Sequence, residues 1–176
     1  FIKALLNHEQ GLHIDNDHFM IISPDEGSMS RAIYLANILG VDMGMYYKRL
    51  DYSKNIGGRH PVAAYEFLGP NVAGKDMILI DDMISSGETI LKIASLLKER
   101  GAGRIYLCST FGLFTDNLKK FDEAHAAGVF DKLLTTNMVY QSEELLAKPY
   151  YISCDMSKYI ALIIDTLNHD MSVSHL

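Results

Sequence analysis

Short apolar runs alternate with helical spacing along the chain. Phe19-Met20-Ile21-Ile22 is a compact apolar run and predicts a strand that stops at the turn Ser23-Pro24-Asp25-Glu26-Gly27. Met29, Ala32, Ile33, Ala36 and Leu39 then recur at helical spacing, with Gly40 as a C-terminal stop. Val41 to Tyr47 predicts a second strand. Met77-Ile78-Leu79-Ile80 is continuous and apolar, the pattern of a strand buried on both faces, and it runs into Asp81-Asp82. A helix is expected from Glu88 to Arg100, closed by Gly101. Further strands are expected at Arg104–Thr110, Lys132–Thr135 and Tyr150–Cys154, and further helices at Asn117–Ala127 and Met156–Leu167. Between Arg49 and Gly74, periodicity fades into Gly, Pro, Asn and Ser. A connection that long is expected to be functional or mobile.

Strand alternating with helix predicts an α/β fold with a mainly parallel sheet flanked by helices, in one domain of 176 residues. Ligands of such sheets bind beyond the carboxyl ends of the strands. Three polar, glycine-bearing loops fall there: Ser23–Ser28, Asp81–Thr89 and Thr110–Thr115.

Composition narrows the function classes. A net charge of −6 argues against a broad basic face, so no nucleic-acid partner is expected. No apolar run approaches the ~20 residues that span a bilayer, and no leader pattern is visible, so no membrane partner is expected. Cys108 and Cys154 form neither a disulfide framework nor a CxxC zinc motif, which favours a reducing cytoplasm. His8, His13 and His18 lie close together without zinc-motif spacing, and His60 precedes Pro61 in a loop-like context, where a structural role is expected. The chain begins at Phe1 and not at Met, so a fragment or processed piece of a longer protein is expected.

The strongest chemical signal is Asp81-Asp82-Met83-Ile84-Ser85-Ser86-Gly87-Glu88-Thr89. A buried strand delivers two adjacent carboxylates, a short loop adds hydroxyls and a glycine, and a helix then starts with its free N–H groups turned toward the loop. Such a helix start cradles a phosphate. Neighbouring carboxylates accept hydrogen bonds from sugar hydroxyls or hold a metal. The combination suits a sugar phosphate, although Ser-Ser-Gly alone would serve equally as a helix cap.

This pattern resembles the phosphoribosyl-pyrophosphate loop of type I phosphoribosyltransferases. Further motifs are similar to the C-terminal half of the ribose-phosphate pyrophosphokinase (PRPP synthetase) family. They are Ser23-Pro24-Asp25-Glu26-Gly27-Ser28 with Arg31-Ala32, Tyr47-Lys48-Arg49, Thr135-Thr136-Asn137 and Met171-Ser172-Val173-Ser174, in the family's order. The resemblance implies a type I phosphoribosyltransferase-like domain forming the C-terminal half of a longer cytoplasmic homo-oligomer. It implies the reaction of ATP with ribose 5-phosphate to give phosphoribosyl pyrophosphate and AMP. Asp81 and Asp82 would bind the ribose hydroxyls, and Ser85, Ser86, Gly87, Glu88 and Thr89 the 5-phosphate. Asp25, Glu26, Gly27 and Ser28 would form the pyrophosphate/ATP loop, with Asp25 the ligand of the cofactor Mg2+. Lys48 and Arg49 would be catalytic, at the start of a segment expected to close over substrate between Lys48 and Pro61.

Five positions depart from the family's pattern. The phosphate loop is Ser85-Ser86-Gly87-Glu88-Thr89 in place of Asp-Thr-Gly-Gly-Thr, Ser28 replaces a glycine, and Leu50 replaces an arginine. Two other readings compete. A stand-alone phosphoribosyltransferase would share the Asp81–Thr89 loop but needs a hood over its base, and none is apparent. A non-catalytic PRPP-synthetase-associated subunit would keep the fold and bind phosphates without turnover.

Overall fold

The computed structural model describes residues 1–50, 53 and 62–174. Seven strands form one sheet: β1 (Phe19–Ser23), β2 (Asp42–Leu50), β3 (Val62–Leu68), β4 (Asp76–Ile84), β5 (Ile105–Gly112), β6 (Lys132–Thr136) and β7 (Tyr151–Cys154). Their order is β3-β2-β1-β4-β5-β6-β7. All neighbours are parallel except β2 and β3, which pair antiparallel. The helices are α1 (Ile2–His8), α2 (Met29–Leu39), α3 (Glu88–Glu99), α4 (Lys119–Ala126), α5 (Glu143–Leu146) and α6 (Ser157–Asn168). Among the described residues, no helix is long and apolar enough to cross a membrane.

Strand pleating sends alternate residues to opposite faces. Met20, Ile22, Met77 and Leu79 pack with Ile93 and Leu97 of α3 and Phe121 of α4. Phe19, Ile21, Ile78 and Ile80 pack on the other face with Leu5 of α1 and Ala32 and Ala36 of α2. Two cores therefore share the central strands, which explains why 77–80 are apolar without alternation. Cys108 and Cys154 are buried free thiols in the second core, and burial pushes both pKa values up, so neither is poised as a nucleophile.

The strands and longer helices expected from the pattern are present, with shifted ends. The stretch from Arg49 to Gly74 contains a strand that periodicity did not reveal. Val62–Leu68 forms the antiparallel edge β3, with Tyr65 and Phe67 packed on the first core and Glu66 and Leu68 exposed. The expected mobile segment from Lys48 to Pro61 divides in two. Lys48 and Arg49 belong to β2, whereas Arg59, His60 and the rest of 51–61 apart from Ser53 lie outside the described residues. Helices α1 and α5 were also not expected. The strand expected to end at Ile80 continues to Ile84, because β4 stays paired with β5 through Ile84↔Gly112. His18 binds Asp15 (2.7 Å) and His8 its own helix at Ala4 O (2.8 Å).

The turn from β4 into α3 depends on Gly87. It sits at the helix N-cap with φ 78°, a left-handed conformation, and a Cβ there would lie 2.3 Å from Cζ of Phe121, which is fully buried. Gly87→Ala combines an unfavourable backbone with a clash in a packed ring cluster. It is expected to cost about 2–4 kcal/mol, read as a lowered urea midpoint at unchanged m value.

Candidate functional site

The chain leaves β1 toward β2 on one side of the sheet and leaves β4 toward β5 on the other, so the switch in strand order lies between β1 and β4. Pairing between them stops at Ile22↔Leu79. Beyond that point the loop after β1 and the end of β4 diverge and a crevice opens. A cavity of about 140 Å³ occupies it, lined by Asp25, Asp81 and every residue from Met83 to Ile90.

The loop after β1 is held by its own polar groups. Ser23 Oγ donates to the Asp25 carbonyl (2.6 Å), and Asp25 Oδ1 accepts from the Gly27 N–H (3.0 Å). These bonds shape a single 3-10 turn, Glu26–Ser28, that runs into α2. Asp25 Oδ2 receives Lys48 Nζ at 3.1 Å, from β2. Lys48 and Arg49 leave opposite faces of β2. Arg49 reaches Glu66 across the β2–β3 hairpin (3.1 Å) and does not join the cavity.

The two acids have different surroundings. Asp81 lines the cavity, and its Oδ1 accepts from Ser28 Oγ (2.6 Å) and the Asp82 N–H (2.8 Å). Asp82 is exposed outside the cavity lining and is met by Arg31 Nη2 of α2 at 3.4 Å. Arg31 Nη1 is buried without a hydrogen-bond partner among the described residues.

At the other wall, the first helical bond of α3 is Leu91 N–H to Gly87 C=O (3.0 Å). The N–H groups of residues 88–90 precede it, and Glu88 N–H makes only a long contact to Ser86 Oγ (3.4 Å). Thr115 Oγ1, 3.2 Å from Ser85 Oγ, braces the loop from the far side. Glu88, exposed at the first turn of α3, lies on the cavity wall. The cavity thus joins amide donors and hydroxyls at one end to Asp81 and the Asp25–Lys48 pair at the other. Such a place suits a ligand with an anion at one end and hydroxyls nearby.

The family resemblance placed Asp25, Lys48, Asp81 and 85–89 in one site, and the structure brings them to one crevice. The sequence did not show Thr115, Arg31 acting on Asp82, or Ser28 acting on Asp81, since these contacts join residues 30 to 53 positions apart. Asn137 of the Thr-Asn element is structural: its amide donates to Asp155 Oδ1 (2.8 Å) and its carbonyl accepts from the Met156 N–H (2.8 Å), clasping β7 to α6. Ser172 and Ser174 lie exposed after α6 and bond each other.

Burial holds the Asp81 carboxyl above the usual carboxylate range, and the negative charge of Asp25 adds to that. The Ser28 hydroxyl and the Asp82 N–H pull it back down. For an acid whose folded pKa is raised, stability is highest below the unfolded pKa and falls as pH rises through the folded value. Asp81→Asn keeps a carbonyl oxygen for both donors and removes the buried charge. Its Tm should exceed that of the wild type at pH 7, and the difference should vanish below the carboxylate range. Thermal melts at the two pH values measure this.

Comparison with known proteins identifies the family and the fold. The phosphoribosyl transferase domain model matches residues 2–146. A ribose-phosphate pyrophosphokinase of Vibrio parahaemolyticus is 31% identical over 176 residues, covering 97% of this chain and 51% of that protein. One from Haemophilus influenzae is 32% identical over 175 residues, covering 99% and 52%. The chain spans about half the length of the curated relatives it matches. Phosphoribosylpyrophosphate synthetase from Mycobacterium smegmatis superposes with a TM-score of 0.71 at 24% identity, over 86% of this chain and 45% of that one. Adenine phosphoribosyl transferase from Trypanosoma brucei gives a TM-score of 0.50 at 17% identity, over 89% and 62%, and these two likenesses concern the fold. With a domain match over most of its length and a sheet crevice of the kind described, the chain belongs to the phosphoribosyl transferase domain family.

Proposed function

We propose that this chain is the C-terminal half of a ribose-phosphate diphosphokinase, carrying its ribose 5-phosphate and pyrophosphate loops. The observation that supports this best is the placement of Asp25, Lys48, Asp81 and the start of α3 around one crevice. The sugar phosphate would sit with its phosphate on the N–H groups and hydroxyls of residues 85–89 and its ring hydroxyls near Asp81. Asp82, outside the cavity lining and held by Arg31, would need to turn to join it. In the reaction, the 1-hydroxyl oxygen of ribose 5-phosphate attacks the β-phosphorus of ATP. A new P–O bond forms, the hydroxyl proton passes to solvent, the bond from the β-phosphorus to the bridging oxygen breaks, and AMP leaves with that oxygen.

Lys48 supplies positive charge where the β,γ-diphosphoryl group passes. Its ammonium rests on Asp25 in the absence of substrate and would exchange that partner for phosphate oxygens. Positioning and charge neutralisation carry this kind of transfer, with little covalent chemistry for the protein. Magnesium, when bound with ATP, neutralises the triphosphate. Asp25 and Asp81 would hold it: Asp81 has Oδ2 uncommitted among the described residues, Asp25 Oδ2 would be freed once Lys48 turns to phosphate, and magnesium commonly takes one or two carboxylates together with phosphate and water. The site lies on a chain that spans about half of its relatives, so ATP contacts from the remaining half and assembly as a homo-oligomer belong to the same proposal. A cytoplasmic location, where ATP and ribose 5-phosphate are both present, completes it.

Two measurements test the reading. The purified chain should bind ribose 5-phosphate weakly by NMR titration and show little turnover with ATP; robust turnover would overturn the division into halves. In the full-length enzyme, Lys48→Ala should lower kcat roughly 100- to 1000-fold, with a small change in KM for ribose 5-phosphate. The lysine's contact then belongs to the transition state. A kcat within a few-fold of wild type would remove Lys48 from the mechanism.

A further inference from the structure

Ser28 occupies an unusual position for a serine. It is the N-cap residue of α2, with φ −97° and ψ 0°, yet its side chain makes no cap hydrogen bond to its own helix. A serine at an N-cap ordinarily accepts from an N–H of the first turn. Here the hydroxyl is a donor, and it donates to Asp81 Oδ1 at 2.6 Å, from a residue 53 positions away. Ser28 is 1% exposed, so water does not compete for that bond. Both hydrogen bonds that Asp81 accepts fall on Oδ1, the other coming from the Asp82 N–H at 2.8 Å. The cavity-lining carboxylate therefore has one oxygen committed to the protein and offers Oδ2 to a ligand. No main-chain pairing links β1 to β4 beyond Leu79, so the carboxylate has no sheet neighbour to fix it on that side.

We propose that Ser28 is a positioning residue. Its buried hydroxyl locks the Asp81 carboxylate in one orientation, so that the loop after β1 sets the geometry of the sugar-hydroxyl acceptor on β4. The proposal rests on the functional reading above for its ligand, and on the Ser28–Asp81 contact for its mechanism. The serine stands where the resembled family has a glycine, so the lock belongs to this chain's own site. Short hydrogen bonds to a carboxylate are among the strong ones and cost most when broken in a buried setting.

The test compares wild type with Ser28→Ala, Ser28→Thr and Ser28→Cys, the last keeping the volume while weakening the donor. NMR titration with ribose 5-phosphate should show a roughly 10-fold weaker Kd for Ser28→Ala and Ser28→Cys. Ser28→Thr, which keeps the hydroxyl, should bind at least several-fold more tightly than Ser28→Ala. Inorganic phosphate, followed at the N–H groups of residues 86–90, should shift those amides with the same midpoint in all four. A general loss of structure would weaken both ligands, and that result would overturn the proposal. So would an unchanged ribose 5-phosphate affinity in Ser28→Ala. Three-bond side-chain couplings of Asp81 give a readout without ligand: one χ1 rotamer in wild type and rotamer averaging in Ser28→Ala. Equal couplings in the two proteins would refute the lock. If wild type binds neither ligand, the functional reading fails, and the couplings alone still decide whether Ser28 holds Asp81.

Discussion

The site exists because two parallel strands part. β1 and β4 are paired from Phe19↔Asp76 to Ile22↔Leu79, and no further. The chain after β1 turns toward β2 while β4 stays attached to β5 as far as Ile84↔Gly112. The end of β4 is therefore a strand with one paired edge and one open edge. Every side chain that matters borders that open edge: Asp25 and Ser28 from the loop on one side, Asp81 and residues 85–89 on the other. The constraint is topological. Crossovers on opposite sides leave a gap at the switch in strand order, and backbone donors and acceptors that would have joined the sheet remain for a ligand. The antiparallel β3 serves the same gap at a distance, since its pairing with β2 through Lys48↔Tyr65 supports the strand that delivers Lys48 to Asp25.

The crevice works against the stability of the fold. Asp81 is held above the usual carboxylate range by burial, and Asp25 nearby adds to the repulsion. Three devices offset this. Lys48 neutralises Asp25 at 3.1 Å, Ser28 donates to Asp81, and Arg31 from α2 engages Asp82. Two of the three come from the first turns of the loop–helix unit after β1, so that unit both shapes the anion loop and supports the acids. Glu88, a carboxylate on the wall of a cavity suited to phosphate, is the one element without an evident partner in this scheme among the described residues. In the first turn it stabilises α3 through the helix dipole, and by the same interaction it reduces the positive potential left for a phosphate.

The parallel sheet was legible because burial on both faces leaves a mark in composition: Met77–Ile80 and Phe19–Ile22 are apolar without a break. Glycines at 40, 87 and 101 marked turns for a physical reason, a positive φ at each. β3 was hidden because its outer residues include Leu68, 56% exposed, and its inner ones are only half-buried, so the alternation is faint. α1 was missed because it is one short helix anchored by a single fully buried residue, Leu5. In the site, the motifs were found but not the contacts that join them, such as Ser28 to Asp81 and Arg31 to Asp82. The difference between Asp81 and Asp82 shows why. Adjacent in sequence, they read as a pair, but Asp81 lines the cavity while Asp82 is exposed against Arg31, and only tertiary partners show which is which.

The central claim is that the parting of β1 and β4 leaves a ligand site whose anion end is the start of α3. Amide chemical shifts during titration with inorganic phosphate test it most directly. The account predicts the largest shifts at the N–H groups of Ser86 to Ile90, saturating together, with little change at the starts of α4 and α6. Shifts spread evenly over the helix starts, or none at residues 86–90 while phosphate binds elsewhere, would contradict it.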